Sequence, residues 1–311
     1  MSITWLLGHA RILLAASVFV GVLLPELAAL LRPLLSPSIL LMLGLALLRL
    51  DWRTLWAWRQ RPGLVAALLA WLLLASPLLL WGLGHALGLP AVLTLVLVMH
   101  AAGPPLTASP VFAQLLGLNP ALNVVVLVLA TLLLPLTLVP IAAALLGGNG
   151  AVDGARLLLH AGLFVALPFL AAGLLRRWLP ADWLARQGRR IDAANVLLLL
   201  VFAIGIMDGT QDWLRAEPLR VLGWLGLACG MSVLHHGLGY LLFRPCGRET
   251  ALAAALSAGN RNLALVLAVS GGVLGPLFDL YVAVGQLPIY CMPLLLAPLA
   301  RRLNAPCAAR G

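Results

Sequence analysis

Apolar runs of about 20 residues recur along the whole chain, each long enough to cross roughly 30 Å of hydrocarbon. In lipid every backbone polar group must be satisfied internally, so only helices or a closed barrel can span. The runs are continuously apolar and do not alternate with period two, which selects helices. Of the 311 residues, 63% are hydrophobic and 10% are charged. A soluble domain carries roughly 25% charged residues. The fold class is therefore an all-α membrane protein.

Ten transmembrane helices are expected, at Ile12–Leu31, Ser36–Leu50, Leu64–Ala86, Val92–Leu116, Ala121–Leu146, Ala155–Leu175, Ala193–Met207, Leu219–Phe243, Thr250–Val269 and Leu277–Leu299. Arg11 before an apolar run resembles the start of a signal peptide, but the run continues past Pro25 and reads as the first span. A Gly-rich joint at Gly147–Gly150 divides the chain into 1–149 and 150–311, with five spans in each.

The net charge of +10 does not point to nucleic acid, because the basic residues sit in short loops between apolar runs. All 20 are arginine. With the N-terminus in the cytoplasm, 15 arginines fall on inside segments and four outside, at Arg32, Arg156, Arg215 and Arg220. That bias predicts both termini in the cytoplasm of a bacterial-type inner membrane. Trp52, Trp56, Trp58, Trp178 and Trp183 fall at the cytoplasmic edges, as interface anchors do. The cysteines form no Cys-x-x-Cys pair, so neither a disulfide framework nor a zinc site is expected.

The two halves look alike. Their second helices are both expected to be short, and their fifth helices carry prolines five apart, Pro135 and Pro140, then Pro288 and Pro293. The offset of 153 residues carries the stretch Gly103–Pro110 onto 256–263, which holds Ser257, Gly259, Asn260, Arg261 and Asn262. Five helices per half is an odd number, so the halves insert in opposite orientations. Interrupted helices at matching places in an inverted repeat point to the binding site of a secondary transporter.

The first interruption is GPPLTASP, from Gly103 to Pro110. Pro104, Pro105 and Pro110 lack backbone N–H groups, so the helix ladder breaks there. Thr107 and Ser109 supply hydroxyls at the break. The second is SAGNRN, from Ser257 to Asn262. Arg261 lies about 12 residues beyond the basic loop end at Arg248, roughly 18 Å along a helix and near mid-membrane. An arginine there costs at least about 2.5–3.5 kcal/mol unless paired, and intramembrane charges are functional by default. No acid in the sequence can be assigned to it, so it is expected to bind an anionic substrate or stand in for a bound cation. The bland alternative is an arginine satisfied by unwound carbonyls. His100, just before the first break, titrates near neutral pH and is the candidate proton relay. His235 and His236 point about 100° apart on a helix and are not expected to share a metal.

These motifs, with LNPALN and SAGNRNLAL, resemble the bile acid:sodium symporter family from about Gly21 to Leu299. The resemblance implies a core of spans 3–5 and 8–10 and a panel of spans 1, 2, 6 and 7. It also implies that the fourth and ninth helices are broken and cross at mid-membrane. The family's first break reads Pro-Gly-Gly-x-x-Ser-Asn. Here Pro104, Thr107, Ala108 and Ser109 fit, whereas Pro105 and Leu106 replace the glycines and Pro110 replaces the asparagine. Two further sodium ligands in the next helix fall on Asn123 and Leu127. The second break reads Glu-x-Gly-x-Gln-Asn in the family, and Ser257, Gly259, Arg261 and Asn262 stand at its glutamate, glycine, glutamine and asparagine. Sodium as the coupling ion would thus be held at Ser109, Asn123 and Ser257.

The expected ligand set is Thr107, Ser109, Asn123, Ser257, Gly259, Asn260, Arg261 and Asn262. The expected partners are a small organic anion and membrane lipid, with no nucleic acid, resident cofactor or metal beyond Na+. The lost carboxylate and the gained cation work against sodium, because a permanent charge repels it in a low-dielectric cavity. Arg261 is then expected to substitute for one sodium, with coupling to protons or to exchange. Walker loops, Gly-x-Ser-x-Gly elbows and His-Glu-x-x-His helices are absent from the sequence. A membrane-embedded enzyme built on the histidines would need convergent acids, and the ten acids lie nearly all at span ends. No enzymatic activity is expected. Other ten-helix carriers would not need broken fourth and ninth helices.

Overall fold

The computed structural model describes residues 2–50, 61–146 and 153–289, and every regular element among them is helical. Helix α1 (Ile3–Leu23) opens at Ser2, whose hydroxyl accepts a hydrogen bond from the Trp5 amide at 3.3 Å. It stops at Leu24 because Pro25 follows. A proline pushes its predecessor out of the helical region and suits the first position of a new helix. Leu24 accordingly has φ −119° and ψ 73°. Helix α2 (Pro25–Leu48) starts there and runs on through a tighter turn at Arg32–Leu34. Two expectations are corrected by this. The first span ends at Leu23 and not at Leu31, and the second has 24 residues, so Ser36–Leu50 was not a short helix.

Helix α3 (Pro62–Ala86) contains a π turn at Trp71–Ala75. Pro77 accounts for it, since a proline ring inside a helix clashes with the carbonyl four residues back and has no N–H to donate. The Ser76 amide bonds to the carbonyl of Trp71, five residues back. The carbonyl of Leu72, which Ser76 would otherwise take, is released.

The chain continues through α4 (Ala91–Ala102), α5 (Ser109–Leu115) and α6 (Ala121–Leu146), which runs unbroken through Pro135 and Pro140. Asp153 caps α7 (Gly154–Trp178), accepting from the amides of Ala155 and Arg156 at 3.0 and 3.1 Å. Helix α8 (Ala181–Gly205) has 25 residues, which corrects the expected short span Ala193–Met207. Its first half is too charged to lie in hydrocarbon, yet Ala, Arg and Gln are good helix formers and carry it on beyond the apolar run. Then follow α9 (Thr210–Ala216), α10 (Pro218–Phe243), α11 (Arg248–Gly259), α12 (Leu263–Val269) and α13 (Pro276–Ile289).

Among the described residues six helices are long and apolar enough to cross a membrane, or seven if the bent α1 is counted as one. Helices α1 and α2 pack on α8, and α2 also packs on α7. Helix α10 packs on α11, α3 on α4, and α6 on α4, α5 and α11, while α7 also packs on α6, and both α7 and α2 pack on α12. Trp178 and Trp183 are exposed on the surface. Trp52, Trp56, Trp58, the Gly147–Gly150 joint, Pro293 and the end of the tenth expected span lie outside the described residues.

Candidate functional site

Both interruptions in the sequence are real breaks, and they meet. Helix α4 ends at Ala102 because Pro104 and Pro105 cannot donate to its last carbonyls. Helix α11 ends at Gly259, and Asn262 caps α12, its side-chain oxygen accepting from the Leu265 amide at 3.0 Å. Between the breaks the Leu106 amide donates to the Asn260 carbonyl, and the Asn262 amide donates to the Pro104 carbonyl, both at 2.8 Å. This two-bond antiparallel bridge, centred on Pro105 and Arg261, ties the broken helices together. It satisfies backbone groups that water cannot reach.

Arg261 is 1% exposed at this junction. Its Nη1 donates to the Gly103 carbonyl at 2.8 Å and to the Leu72 carbonyl at 3.3 Å. Both acceptors were freed by prolines, one at the break and one at the π turn. The Nε and Nη2 atoms of Arg261 have no hydrogen-bond partner. None of the ion pairs among the described residues involves Arg261. The acids that the sequence left unassigned are elsewhere. Asp208 and Asp279 face Arg32 at 2.8 and 3.5 Å near the surface, and Glu249 accepts from the Asn119 amide at 3.0 Å.

Asn123 and Ser257 are brought together. The fully buried Asn123 donates through Nδ2 to the Ser257 hydroxyl at 2.8 Å and to the Ala253 carbonyl at 2.9 Å. Its Oδ1 has no partner, nor has the buried hydroxyl of Ser109. Ser109 lies next to the bridge, its amide donating to the Leu106 carbonyl at 2.9 Å. Thr107 is half-buried. Gly259 is required by a close approach, because a Cβ there would fall inside the ring of His236.

Of a buried polar layer beside the junction, sequence reasoning named His100 and Asn260 as site residues and missed the rest. The Tyr281 hydroxyl bonds to His100 Nδ1 at 2.7 Å, and the rings of His100 and His235 lie 5.4 Å apart. His235 donates through Nδ1 to the Met231 carbonyl at 2.8 Å, which leaves its Nε2 to accept from the Ser76 hydroxyl at 2.9 Å. His236 donates to the Ser232 carbonyl at 2.8 Å and accepts from Asn260 Nδ2 at 3.1 Å. All three histidines lie within electrostatic reach of Arg261. Among the described residues no three His, Cys, Asp or Glu side chains are grouped to hold a metal ion. The sequence signal for this layer was weak: a His-His pair and a Ser-Pro step inside apolar spans.

A multi-pass helical membrane protein with two broken helices bonded to each other inside it is the class this fold and site define. The chain belongs to the Sodium Bile acid symporter family, whose pattern matches residues 36–214, more than half of its length. The match includes the first break and Asn123 and stops short of the second break. Members of that family are transporters, not enzymes. No curated protein sequence matches the chain.

Proposed function

We propose that this protein is a secondary transporter of a small organic anion, in which Arg261 is a fixed charge standing where relatives hold a coupling cation. The observation that carries the reading is Arg261 itself, buried at the meeting of the two breaks with carbonyl partners and, among the described residues, no carboxylate. Irregular backbone inside a membrane protein is tolerated where it is buried in protein or lines a cavity, and in secondary transporters such breaks form the binding site.

Ten spans in two inverted halves are part of the same reading. Counting each broken pair once, with α1 and α13 each as one span, brings the spans to ten. The helix map supports the repeat. Moved by 153 residues, α2 covers 178–201 against Ala181–Gly205, α3 covers 215–239 against Pro218–Phe243, and α5 covers 262–268 against Leu263–Val269. The packing of α1, α2 and α8, with α7 on α2, supports a panel, and the packing among α3–α6, α10 and α11 supports a core. Rocking of one against the other would alternate access. The membrane is a bacterial-type inner membrane with both termini in the cytoplasm, on the arginine bias.

Sodium is disfavoured as the coupling ion. Asn123 Oδ1 and Ser109 Oγ are unpartnered oxygens that suit a hard cation, but the third expected ligand, Ser257, already accepts from Asn123 and brings no charge. Two like unit charges roughly 8 Å apart repel by about 2 kcal/mol at an effective dielectric constant of about 20. With a monoanion bound, the Arg261 site is neutral. Empty, it holds a buried unpaired charge. Exchange of one anion for another avoids reorienting the empty site and is the coupling mode this arrangement favours.

The melting temperature of the purified protein, titrated with sodium chloride against choline chloride, tests the fixed charge. A specific ligand stabilises by about 2.7 kcal/mol at 100 times its Kd. The expected result is no sodium shift in the wild type and a saturable one in Arg261→Gln. A saturable sodium shift in the wild type would overturn the reading.

A further inference from the structure

Arg261 is satisfied along one side only. Nη1 takes both carbonyls, and the two N–H groups of the opposite edge, on Nε and Nη2, are buried without partners. Those two groups form a planar fork that matches the two oxygens of a carboxylate in parallel hydrogen bonds. His100 adds a third donor. Its Nδ1 bonds to the Tyr281 hydroxyl, and with the phenol as donor the imidazole proton sits on Nε2, which is buried and unpartnered. The Trp71 indole N–H is also unpartnered. His100 lies one turn before Gly103, and Trp71 adjoins Leu72, the two residues whose carbonyls fix the guanidinium. Arg261, His100 and Trp71 contribute unpartnered donors, and Asn260 Oδ1, Asn123 Oδ1 and Ser109 Oγ are the unpartnered oxygens of the junction. Donors with no acid among them describe a receptor for an anion.

We propose that the Nε–Nη2 edge of Arg261 receives the carboxylate of a small monocarboxylate, with His100 Nε2–H as third donor. This rests on the reading of Arg261 as the fixed charge of a transport site and names the substrate class for it. A halide meets the fork at one point, and a tetrahedral sulfonate presents three oxygens to a planar pair. Enclosure sets the size. Gly103, Pro104, Pro105 and Asn260 are all buried, and a Cβ on Gly103 would lie 3.2 Å from Val266 Cγ2 and 3.5 Å from Arg261 Cβ.

The test holds the cation constant and varies the anion. Melting temperature of the full chain in detergent is followed with choline acetate, propionate, chloride and methanesulfonate at equal ionic strength. The expected result is a saturable rise with the carboxylates, at affinities at least about tenfold above chloride and methanesulfonate. Arg261→Lys keeps the charge and removes the fork, so it should weaken the carboxylate response at least about tenfold while leaving the protein insensitive to sodium. His100→Leu, which leaves Arg261 intact, should weaken it as well, and His100→Gln, which keeps an acceptor and a donor, should weaken it less. Equal shifts by chloride and carboxylates, an unchanged response in Arg261→Lys, or no anion shift in the wild type would each overturn the proposal. The sodium titration varies the cation at constant chloride, so the two readings fail independently.

Discussion

Gly259→Ala is the smallest change that strikes the junction, one methyl group on the last residue of α11. The added Cβ would fall among the Nδ1, Cγ and Cε1 atoms of His236, so the ring has to leave its place. That ring is buried and held at both ends, by the Ser232 carbonyl at 2.8 Å and by Asn260 Nδ2 at 3.1 Å. Overpacking a tight interior costs about 1–3 kcal/mol. Each hydrogen bond lost with the ring adds about 0.5–1.5 kcal/mol. The expected cost is therefore about 2–6 kcal/mol, which at about 2–4 °C per kcal/mol lowers the melting temperature by roughly 4–24 °C. A double-mutant cycle isolates the cause. In a His236→Ala background the clash is gone, and the same Gly259→Ala change should be neutral or slightly stabilising, since alanine in a helix is favoured over glycine by about 1 kcal/mol. The reasoning is refuted if Gly259→Ala leaves the wild-type melting temperature unmoved, or if it costs as much without His236 as with it.

Asn123→Leu removes the amide that donates to Ser257 and to the Ala253 carbonyl, leaving buried acceptors unpaired at about 1–3 kcal/mol. Its melting temperature should fall, and Asn123→Asp, which cannot donate to either acceptor when ionised, should fall at least as far. Arg32→Ala loses a half-exposed ion pair with Asp208 and Asp279 and should cost no more than about 1 kcal/mol, a difference that shrinks as salt is raised toward molar concentration.

Covalent facts about proline were the most readable part of the sequence. Pro104 and Pro105 cannot donate, so the break after Ala102 could be placed to the residue, whereas the 153-residue offset put the second break at Ser257–Asn262, which begins too early, because Ser257 and Ala258 are still in α11. Asn123 and Ser257, paired at 2.8 Å, were placed together on the motif. Helix ends were harder to read. Hydropathy reports which turns lie in hydrocarbon, not which turns are helical, and so it stopped the seventh span at Ala193 although the helix begins at Ala181. At Pro25 the same measure ran through a helix break, because the leucines on both sides of Leu24 are equally apolar. The histidines failed for another reason. Their spacing on one helix says nothing about which helices face them, and Ser76, Asn260 and Tyr281 come from three other elements.

Arg261 combines both cases. Its depth could be counted from Arg248 along the helix, but its partners could not, because they are carbonyls and every residue has one. Which carbonyls are free depends on prolines far away in sequence. Pro77 shifts the Ser76 amide onto Trp71 and releases Leu72, and Pro104 closes α4 one residue after Gly103. Both released carbonyls meet the same nitrogen, Nη1. A guanidinium has five N–H donors in a fixed fork, and two carbonyls on one nitrogen leave the other edge unanswered. A buried arginine with its side-on edge open therefore differs from one that serves only to hold two helices together. Packing alone would favour closing that edge with a third carbonyl or a carboxylate, and among the described residues neither has been supplied.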